Sequence, residues 1–257
     1  MLFSKLPDTL VYIVTISLLF FNATAPNPSL VAQLGLQKTT QSPAPIYSQP
    51  IDLTGTLLPS AWLEPDGSDY DAYVWDNFTL QEKATITTLT WNGVYDPEKL
   101  GAGGPVLDFN ISIYPSIAAG TEPAVANPPL AAYRTGGNAH ETSLGAASGG
   151  TLYAYTFTLP TPFPVSAGVK YWVQIEAFQH GAVPDWCLAA GSGGNGSHYR
   201  KSSGVGGDSL YRVAPGDAAF TLLGFLAEPA TPTIAPTMTE TAPPTTTPAA
   251  LPTQTVP

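Results

Sequence analysis

The amino-acid sequence predicts an all-β fold: a two-sheet antiparallel β-sandwich of jelly-roll type, between a signal peptide and a disordered Thr/Pro-rich tail. Three observations lead to this prediction. Apolar and polar residues alternate with a period of two in several short segments, Gly and Pro clusters separate these segments, and no window carries a helical apolar stripe. Many short strands joined by frequent turns are typical of sandwiches and barrels.

The N-terminal segment, residues 1–25, has the order of a secretory signal peptide. A start with Lys5 leads into the apolar run LVYIVTISLLFF, and small residues ending at Ala25 form the expected cleavage site. The run has twelve residues, fewer than the ~20 of a spanning helix, so we expect no stable membrane span. An uncleaved N-terminus is the alternative, because Asp8 offsets the positive charge and Pro26 follows the cleavage site.

Composition divides the rest of the chain into three parts. Residues 26–48 are rich in Pro, Ser and Gln and predict a linker with an edge strand near its end. Residues 49–226 contain the alternating segments and form the predicted sandwich domain. Residues 227–257 predict a disordered stalk, since ten of the 29 residues after Glu228 are Thr and eight are Pro, a composition that disfavours regular pairing.

Three segments show the alternation most clearly, and each predicts a strand with one buried face. They are VLDFNISIY (106–114), TLYAYTFTL (151–159) and VKYWVQIEAF (169–178). The predicted buried faces are Leu107, Phe109, Ile111 and Ile113 in the first, Tyr153, Tyr155, Phe157 and Leu159 in the second, and Val169, Tyr171, Val173, Ile175 and Ala177 in the third. Further candidate strands are DAYVWDNFTL, ATITTLTWNGVY, LAAYR and DAAFTLLGFL.

Several of these pieces occur in an order that resembles a loose group of secreted bacterial β-sandwich domains. The pieces are YVWDNFTL, ITTLTWNGVY, FNISIY, PFPVSAGVKYWVQIEA and GDAAFTLLGF, within residues 66–226. Shared features are a D-D/N-F strand, a W-x-G-x-Y strand, an A-G-x-x-Y-W strand and a closing D-x-A-F strand. The group is largely uncharacterised, so the resemblance implies fold and export rather than an activity.

The charge of the chain is low and acidic. Nine Lys/Arg residues stand against 19 Asp/Glu residues, a net charge of −10 at pH 7, and no basic cluster exceeds Arg200-Lys201. Nucleic acid would meet electrostatic repulsion, so we exclude it as a partner. Cys187 is the lone cysteine; no internal disulfide can form, and the usual role of such a residue is that of a small buried hydrophobe.

The acidic loop DGSDYD holds the best candidate metal ligands. Asp66, Asp69 and Asp71 follow a D-x-x-D-x-D order, and Gly67 permits a tight turn. Calcium takes several oxygen ligands, which the carboxylates and backbone carbonyls of such a loop can supply. The favoured interpretation is strand entry, because Asp and Ser populate turns by bonding local backbone. Zinc is not expected, since the three His residues are dispersed.

Outward-facing aromatic residues form the candidate ligand site. The parity of the two predicted strands that contain them turns Trp75, Trp172, Gln174 and Glu176 away from the core. A flat indole can cover the apolar C–H face of a pyranose while amide and carboxylate groups bond its hydroxyls. The alternative is that a loop covers these rings, or that a β-bulge near Asp76 reverses the parity.

A glycine-rich stretch, residues 189–212, follows Trp186 and is a second candidate for ligand recognition. As a recognition loop it would present Trp186 to a ligand, together with His198, Tyr199, Arg200 and Tyr211. A plain connection is the favoured interpretation of this long loop, with recognition as the alternative. No Gly-Lys-Ser/Thr arrangement follows, so a phosphate cradle is not predicted.

No catalytic motif stands out. The serines lack a G-x-S-x-G context, and Glu176, a mid-strand acid beside a Trp, has no identifiable carboxylate partner for glycoside hydrolysis. We therefore predict a secreted, extracellular and non-catalytic β-sandwich module that binds polysaccharide or another cell-surface component. A purely structural or adhesive surface domain without a small ligand is the alternative, and a secreted hydrolase is the third interpretation.

Overall fold

A computed structural model describes residues 41–63, 71–147, 150–203 and 209–227. The predicted signal peptide, most of the predicted linker and the Thr/Pro-rich tail lie outside these ranges. The one helical element within the ranges is a 3-10 turn at Pro97–Lys99. No helix in this part of the chain is long and apolar enough to cross a membrane.

Short strands account for most of the described residues. In chain order they begin with β1 (Ala44–Gln49), β2 (Leu58–Pro59), β3 (Ala61–Leu63), β4 (Tyr73–Thr79), β5 (Ala84–Tyr95), β6 (Asp108–Pro115), β7 (Ala131–Arg134) and β8 (Thr142–Ala147). They continue with β9 (Gly150–Val165), β10 (Lys170–Gln179), β11 (Trp186–Leu188), β12 (Ala190–Gly191), β13 (Ser197–Ser203), β14 (Ser209–Pro215), β15 (Asp217–Ala218) and β16 (Phe220–Leu226). The first strand thus occupies the end of the predicted linker.

The strands form two large sheets of seven strands each. The first has the order β1-β16-β5-β11-β2, with β9 also beside β5 and β8 beside β9; the second has the order β14-β13-β4-β10-β6-β7, with β3 beside β10. The chain passes from one sheet to the other between β4 and β5 and again between β5 and β6, so several sheet neighbours, such as β4 and β10, are distant in the chain, as in jelly-roll sandwiches. The predicted all-β sandwich is confirmed.

Side chains from the inner faces of both sheets form one apolar core. Phe109 of β6 packs against Trp91 of β5 and Tyr155 of β9, with ring centroids 5.0 Å apart in each pair. Trp91 and Tyr155 stack on each other at 5.5 Å. Each fully buried large apolar side chain contributes about 1.5–3 kcal/mol to folding, so the predicted alternation is what holds the two sheets together.

Two residues predicted for the buried faces lie at the surface instead. Leu107 and Val169 are each 42% exposed. Both precede their strands, because β6 begins at Asp108 and β10 begins at Lys170. Val106, which is only 4% exposed, enters the core in place of Leu107.

Close packing of Trp186 generates a stability prediction. A Cβ atom on Gly93 would lie 2.5 Å from Cζ2 and 2.7 Å from Cε2 of this indole. The ring cannot move aside easily, because it packs against Phe109 and its Nε1 donates to the Tyr155 hydroxyl at 2.9 Å. We expect Gly93→Ala to lower the free energy of unfolding by about 1–3 kcal/mol, the usual range for overpacking.

Urea denaturation measures this effect, with Gly137→Ala as the matched control. A Cβ atom on Gly137 would have no heavy atom of another residue within 4 Å, apart from its chain neighbours, and the φ of Gly137 is not in the left-handed region. Equal losses of stability in the two variants would contradict the proposed clash with the indole.

Candidate functional site

The outward face of the second sheet, opposite the core, brings the predicted ligand residues together. Trp75 of β4 lies opposite Gln174 of β10, and Glu176 lies opposite Asn110 of β6. Trp172 lies two residues before Gln174 and shares its face, because side chains on a strand alternate. The orientation inferred from strand parity matches the structure at all of the four predicted positions.

An aromatic cluster surrounds Trp75 on this face. The ring centroids of Tyr73, Tyr114, Tyr199 and Tyr211 lie between 5.9 and 6.5 Å from its indole. The Tyr73 and Tyr114 contacts are edge-to-face, a preferred geometry for aromatic pairs. Trp75 Nε1 is buried and has no hydrogen-bond partner in the described structure, so one donor at the centre of the cluster is unused.

A row of polar side chains crosses the sheet beside this cluster. Asn110 Nδ2 donates to Glu176 Oε2 at 3.3 Å, and Gln174 Nε2 donates to the same oxygen at 3.5 Å. Asn110 Nδ2 also lies 3.4 Å from Ser112 Oγ. Two amides, a hydroxyl and a carboxylate therefore lie together next to aromatic rings, which is the combination that sugar hydroxyls and C–H faces require.

Burial changes the acidity of the carboxyl in this row. The side chain of Glu176 is buried, and desolvation raises its pKa from 4.5 to about 7. The hydrogen bond from Asn110 opposes this rise, the negative charge of Asp71 adds to it, and the positive charges of Arg134 and Lys201 oppose it. Desolvation has the largest effect, because a carboxylate loses its water on this covered face.

The loop between β6 and β7, residues 116–130, covers part of the face. Trp172 Nε1 donates to Ser116 Oγ at 2.7 Å, Lys170 Nζ donates to the Gly120 carbonyl oxygen at 3.0 Å, and Val125 packs on the aromatic cluster. As a result, Trp75 and Trp172 are only 3% and 2% exposed. The expectation that these indoles are exposed is therefore wrong, although they face away from the core.

The solvent-accessible part of the face is built from other side chains. Tyr211 of β14 is 45% exposed, and Tyr73, Lys201 and Asn110 are half-buried. Lys201 Nζ lies 4.7 Å from the centroid of the Tyr73 ring, a cation–π contact. Ligand contact would thus begin at the tyrosines, with the buried indoles forming a rigid base beneath them.

Trp186 does not belong to this face. Its side chain has no exposed surface and packs between the sheets against Phe109 and Tyr155. The prediction that Trp186 binds a ligand at the surface is wrong, because it lies in strand β11 rather than in a loop. Its neighbour Cys187 is a buried free thiol whose pKa burial raises to about 12, as expected for a small core residue.

Of the three predicted calcium ligands, the structure describes one. Asp71 is buried, and its Oδ1 accepts a hydrogen bond from the Leu63 amide at 3.3 Å. Asp66 and Asp69 lie outside the described residues. Within the described ranges, no three His, Cys, Asp or Glu side chains are grouped so that they could hold a metal ion. Calcium binding at Asp66, Asp69 and Asp71 stays a prediction.

Asp76 lies on the inner face without a bulge in β4, since its pairing with β10 is continuous. Its carboxylate accepts hydrogen bonds at 2.6 Å from the amides of Asn77 and Ala218. The Gln49 amide, oriented with its nitrogen toward this carboxylate, donates at 2.8 Å. Asp217 accepts from two further loop amides, Gly194 and Gly196. The acidic residues of the D-D/N-F and D-x-A-F motifs thus have structural roles.

The glycine-rich stretch is not the plain connection that was favoured from the sequence. Residues 197–203 and 209–215 form the antiparallel pair β13 and β14, and β13 pairs with β4. Through this pairing Tyr199 and Tyr211 reach the aromatic cluster. The alternation of SHYRKSS and SLYRVAP is the signal that could have indicated these strands.

The raised pKa of Glu176 generates a pH prediction. The pKa of Glu176 is about 7 in the folded protein and 4.5 in the unfolded chain. Between these pH values the folded protein therefore binds more protons than the unfolded chain. The contribution of Glu176 to the free energy of unfolding is therefore fully present below about pH 4.5, and it is lost as the pH rises through 7. Glu176→Gln removes this loss, so we expect the variant to gain on the order of 3 kcal/mol relative to the wild type between pH 4.5 and 8.

Urea denaturation at several pH values measures the difference between variant and wild type. Burial also raises the pKa of Asp76 to about 7, so Asp76 gives a similar pH dependence of stability. This effect cancels in the difference between variant and wild type, because both proteins contain Asp76. Glu82→Gln, at an exposed position, is the control for removal of one negative charge. A difference that does not change with pH would contradict a desolvated carboxyl at position 176.

Comparison with known sequences identifies the family of the chain. A family model described as a domain of unknown function (DUF7901) matches residues 38–190. The matched segment includes β1 to β11 and therefore most of the core, the polar row and both outward indoles. No curated protein matches the chain. Since the match covers more than half of the sequence, the chain belongs to the DUF7901 family.

Proposed function

We propose that the chain is a non-catalytic carbohydrate-binding module whose ligand lies on the outward face of the second sheet. The observation that carries this proposal is the polar row of Asn110, Gln174 and Glu176 directly beside the aromatic cluster around Trp75. The part of the inner face that packs against the other sheet is apolar, so this outward composition is not a requirement of the core.

The physical case rests on complementary groups. Tyr73 and Tyr211 offer aromatic surface to the C–H face of a sugar ring, and a rigid aromatic side chain loses little conformational entropy on binding. The amides of the polar row can donate to sugar hydroxyls, while the carboxylate accepts from them. Burial of both indoles moves the proposed contact from the tryptophans to the tyrosines.

Export and display complete the proposal. The predicted signal peptide at residues 1–25 and the Thr/Pro-rich segment 227–257 support a module held away from a cell surface on an extended stalk. The buried single thiol of Cys187 needs no partner, so the fold does not depend on a disulfide. In this proposal the partner is a polysaccharide or another cell-surface component, outside the cell.

Retention of the purified full-length chain on insoluble cellulose, chitin, xylan and mannan tests the proposal. We expect retention on at least one of them, and Tyr211→Ala should weaken binding about tenfold through loss of an aromatic contact. Leu210→Ala is the matched control, because Leu210 is the preceding residue of β14 with equal exposure, 46% against 45%, on the opposite face.

Two outcomes would contradict the proposal. Lack of retention on every polysaccharide would leave a structural or adhesive surface domain. Equal weakening by Leu210→Ala would place the contact elsewhere than on the outward face. Parallel runs in millimolar calcium chloride and in EDTA test the calcium prediction separately, since loss of binding in EDTA would point to the aspartate loop.

A secreted hydrolase is the second candidate, and one observation favours it. Glu176 has a pKa of about 7, which suits a general acid, and the negative charge of Asp71 helps to raise it. A second carboxyl therefore lies near Glu176, and glycoside hydrolysis uses two carboxyls. Release of reducing sugar from soluble xylan or mannan, abolished by Glu176→Gln while retention persists, would establish this activity in place of simple binding.

A further inference from the structure

The β13–β14 hairpin carries a cationic cluster on the face opposite to Tyr199 and Tyr211. Arg200 of β13 lies directly opposite Arg212 of β14, and His198 shares their face two residues before Arg200. Like charges directly opposite each other destabilise a strand pair. Some feature of the molecule or of its surroundings must therefore compensate the two guanidinium groups.

No carboxylate does so within the described ranges. The ion pairs found there involve two other cations, Lys99 and Arg134. Burial and then the positive charge of Arg212 lower the pKa of Arg200. Two facing arginines without an ion pair among the described residues, one of them partly buried, are unexpected in a chain where 19 acidic residues are available for nine Lys/Arg.

Two buried nitrogen atoms of the cluster also have no hydrogen-bond partner among the described residues. They are Nε of Arg200 and Nε2 of His198. The other ring nitrogen of His198 lies 2.8 Å from the Gly216 carbonyl oxygen. Since a carbonyl only accepts, that nitrogen carries the hydrogen. Nε2 of the neutral ring is therefore an acceptor, and it can donate to a bound anion only when the ring is protonated, which burial opposes by lowering the pKa of His198. The buried Nε donor of Arg200 costs free energy as long as it has no acceptor, and an acceptor-rich ligand would recover this cost.

An open cavity of about 320 Å³ borders all three side chains, with Thr56 and Leu58 on its other wall. This volume is several times the roughly 30 Å³ of one water molecule, so a small ion and its hydration fit inside. We propose that Arg200, Arg212 and His198 form an oxyanion-binding site that holds a sulfate, phosphate or carboxylate group in this cavity. Guanidinium groups suit such ligands, because they donate two parallel hydrogen bonds to neighbouring oxygens.

Titration of the full-length chain with sodium sulfate tests the site, by calorimetry and by amide shifts in nuclear magnetic resonance. We expect saturable binding of sulfate, and we expect the largest changes in amide chemical shift in β13, β14 and residues 56–58. Arg212→Gln should weaken it about tenfold through loss of a charge-assisted contact. Arg212 is exposed, so this variant keeps the test valid even if Arg200→Gln does not fold.

Lys83→Gln is the matched control, because it removes one positive charge from an exposed position on the β4–β5 turn. Parallel titrations with sodium phosphate and sodium acetate show whether the site prefers tetrahedral or planar oxyanions. A titration with sodium chloride at equal ionic strength corrects for electrostatic screening by salt. Non-saturating shifts, an effect equal to that of chloride, or equal weakening by Lys83→Gln would overturn the proposal. Tyr211→Ala should leave sulfate binding intact, which separates this site from the carbohydrate face.

Discussion

Strand β10 is buried on both faces, and the rest of the molecule is arranged around this constraint. The opposite sheet covers its apolar face, whereas the 116–130 loop and the flanking strands cover the other. Every polar group on the covered outward face must find a partner, since an unpaired buried group is costly. Gln174 and Asn110 meet this requirement for Glu176, at hydrogen-bond distances of 3.3 to 3.5 Å.

A second buried carboxylate shows how differently the inner face uses the same chemistry. Asp76 accepts from the backbone amide of Ala218 and from the Gln49 side chain, and so connects β4 of one sheet to β15 and β1. Such a contact fixes how the end of one sheet meets the other. The Glu176 carboxylate instead accepts from two side-chain amides at 3.3 and 3.5 Å, so its partners can be exchanged for ligand groups more readily.

The sequence alone predicts most of the inner-face residues of β6, β9 and β10, because period-two alternation is a local property. The exceptions, Leu107 and Val169, lie just before their strands. Burial of Trp75 and Trp172 could not be inferred this way, since the nearer end of the covering loop lies 41 residues after the first and 42 residues before the second. The β13–β14 hairpin escaped detection because its alternation is between aromatic and charged residues. The glycine-rich composition of this stretch suggests a loop. The stretch forms strands because β13 pairs with β4, which is distant in the chain.

That hairpin shows how one element can serve two chemistries. Alternation sends Tyr199 and Tyr211 to the aromatic cluster and sends Arg200 and Arg212 to the cavity on the other face. Both arrangements depend on the same register, so a slip of one residue would exchange rings for charges on both faces. The pairing of β13 with β4 therefore does more than extend a sheet: it fixes which face can meet an apolar sugar surface and which can meet an anion.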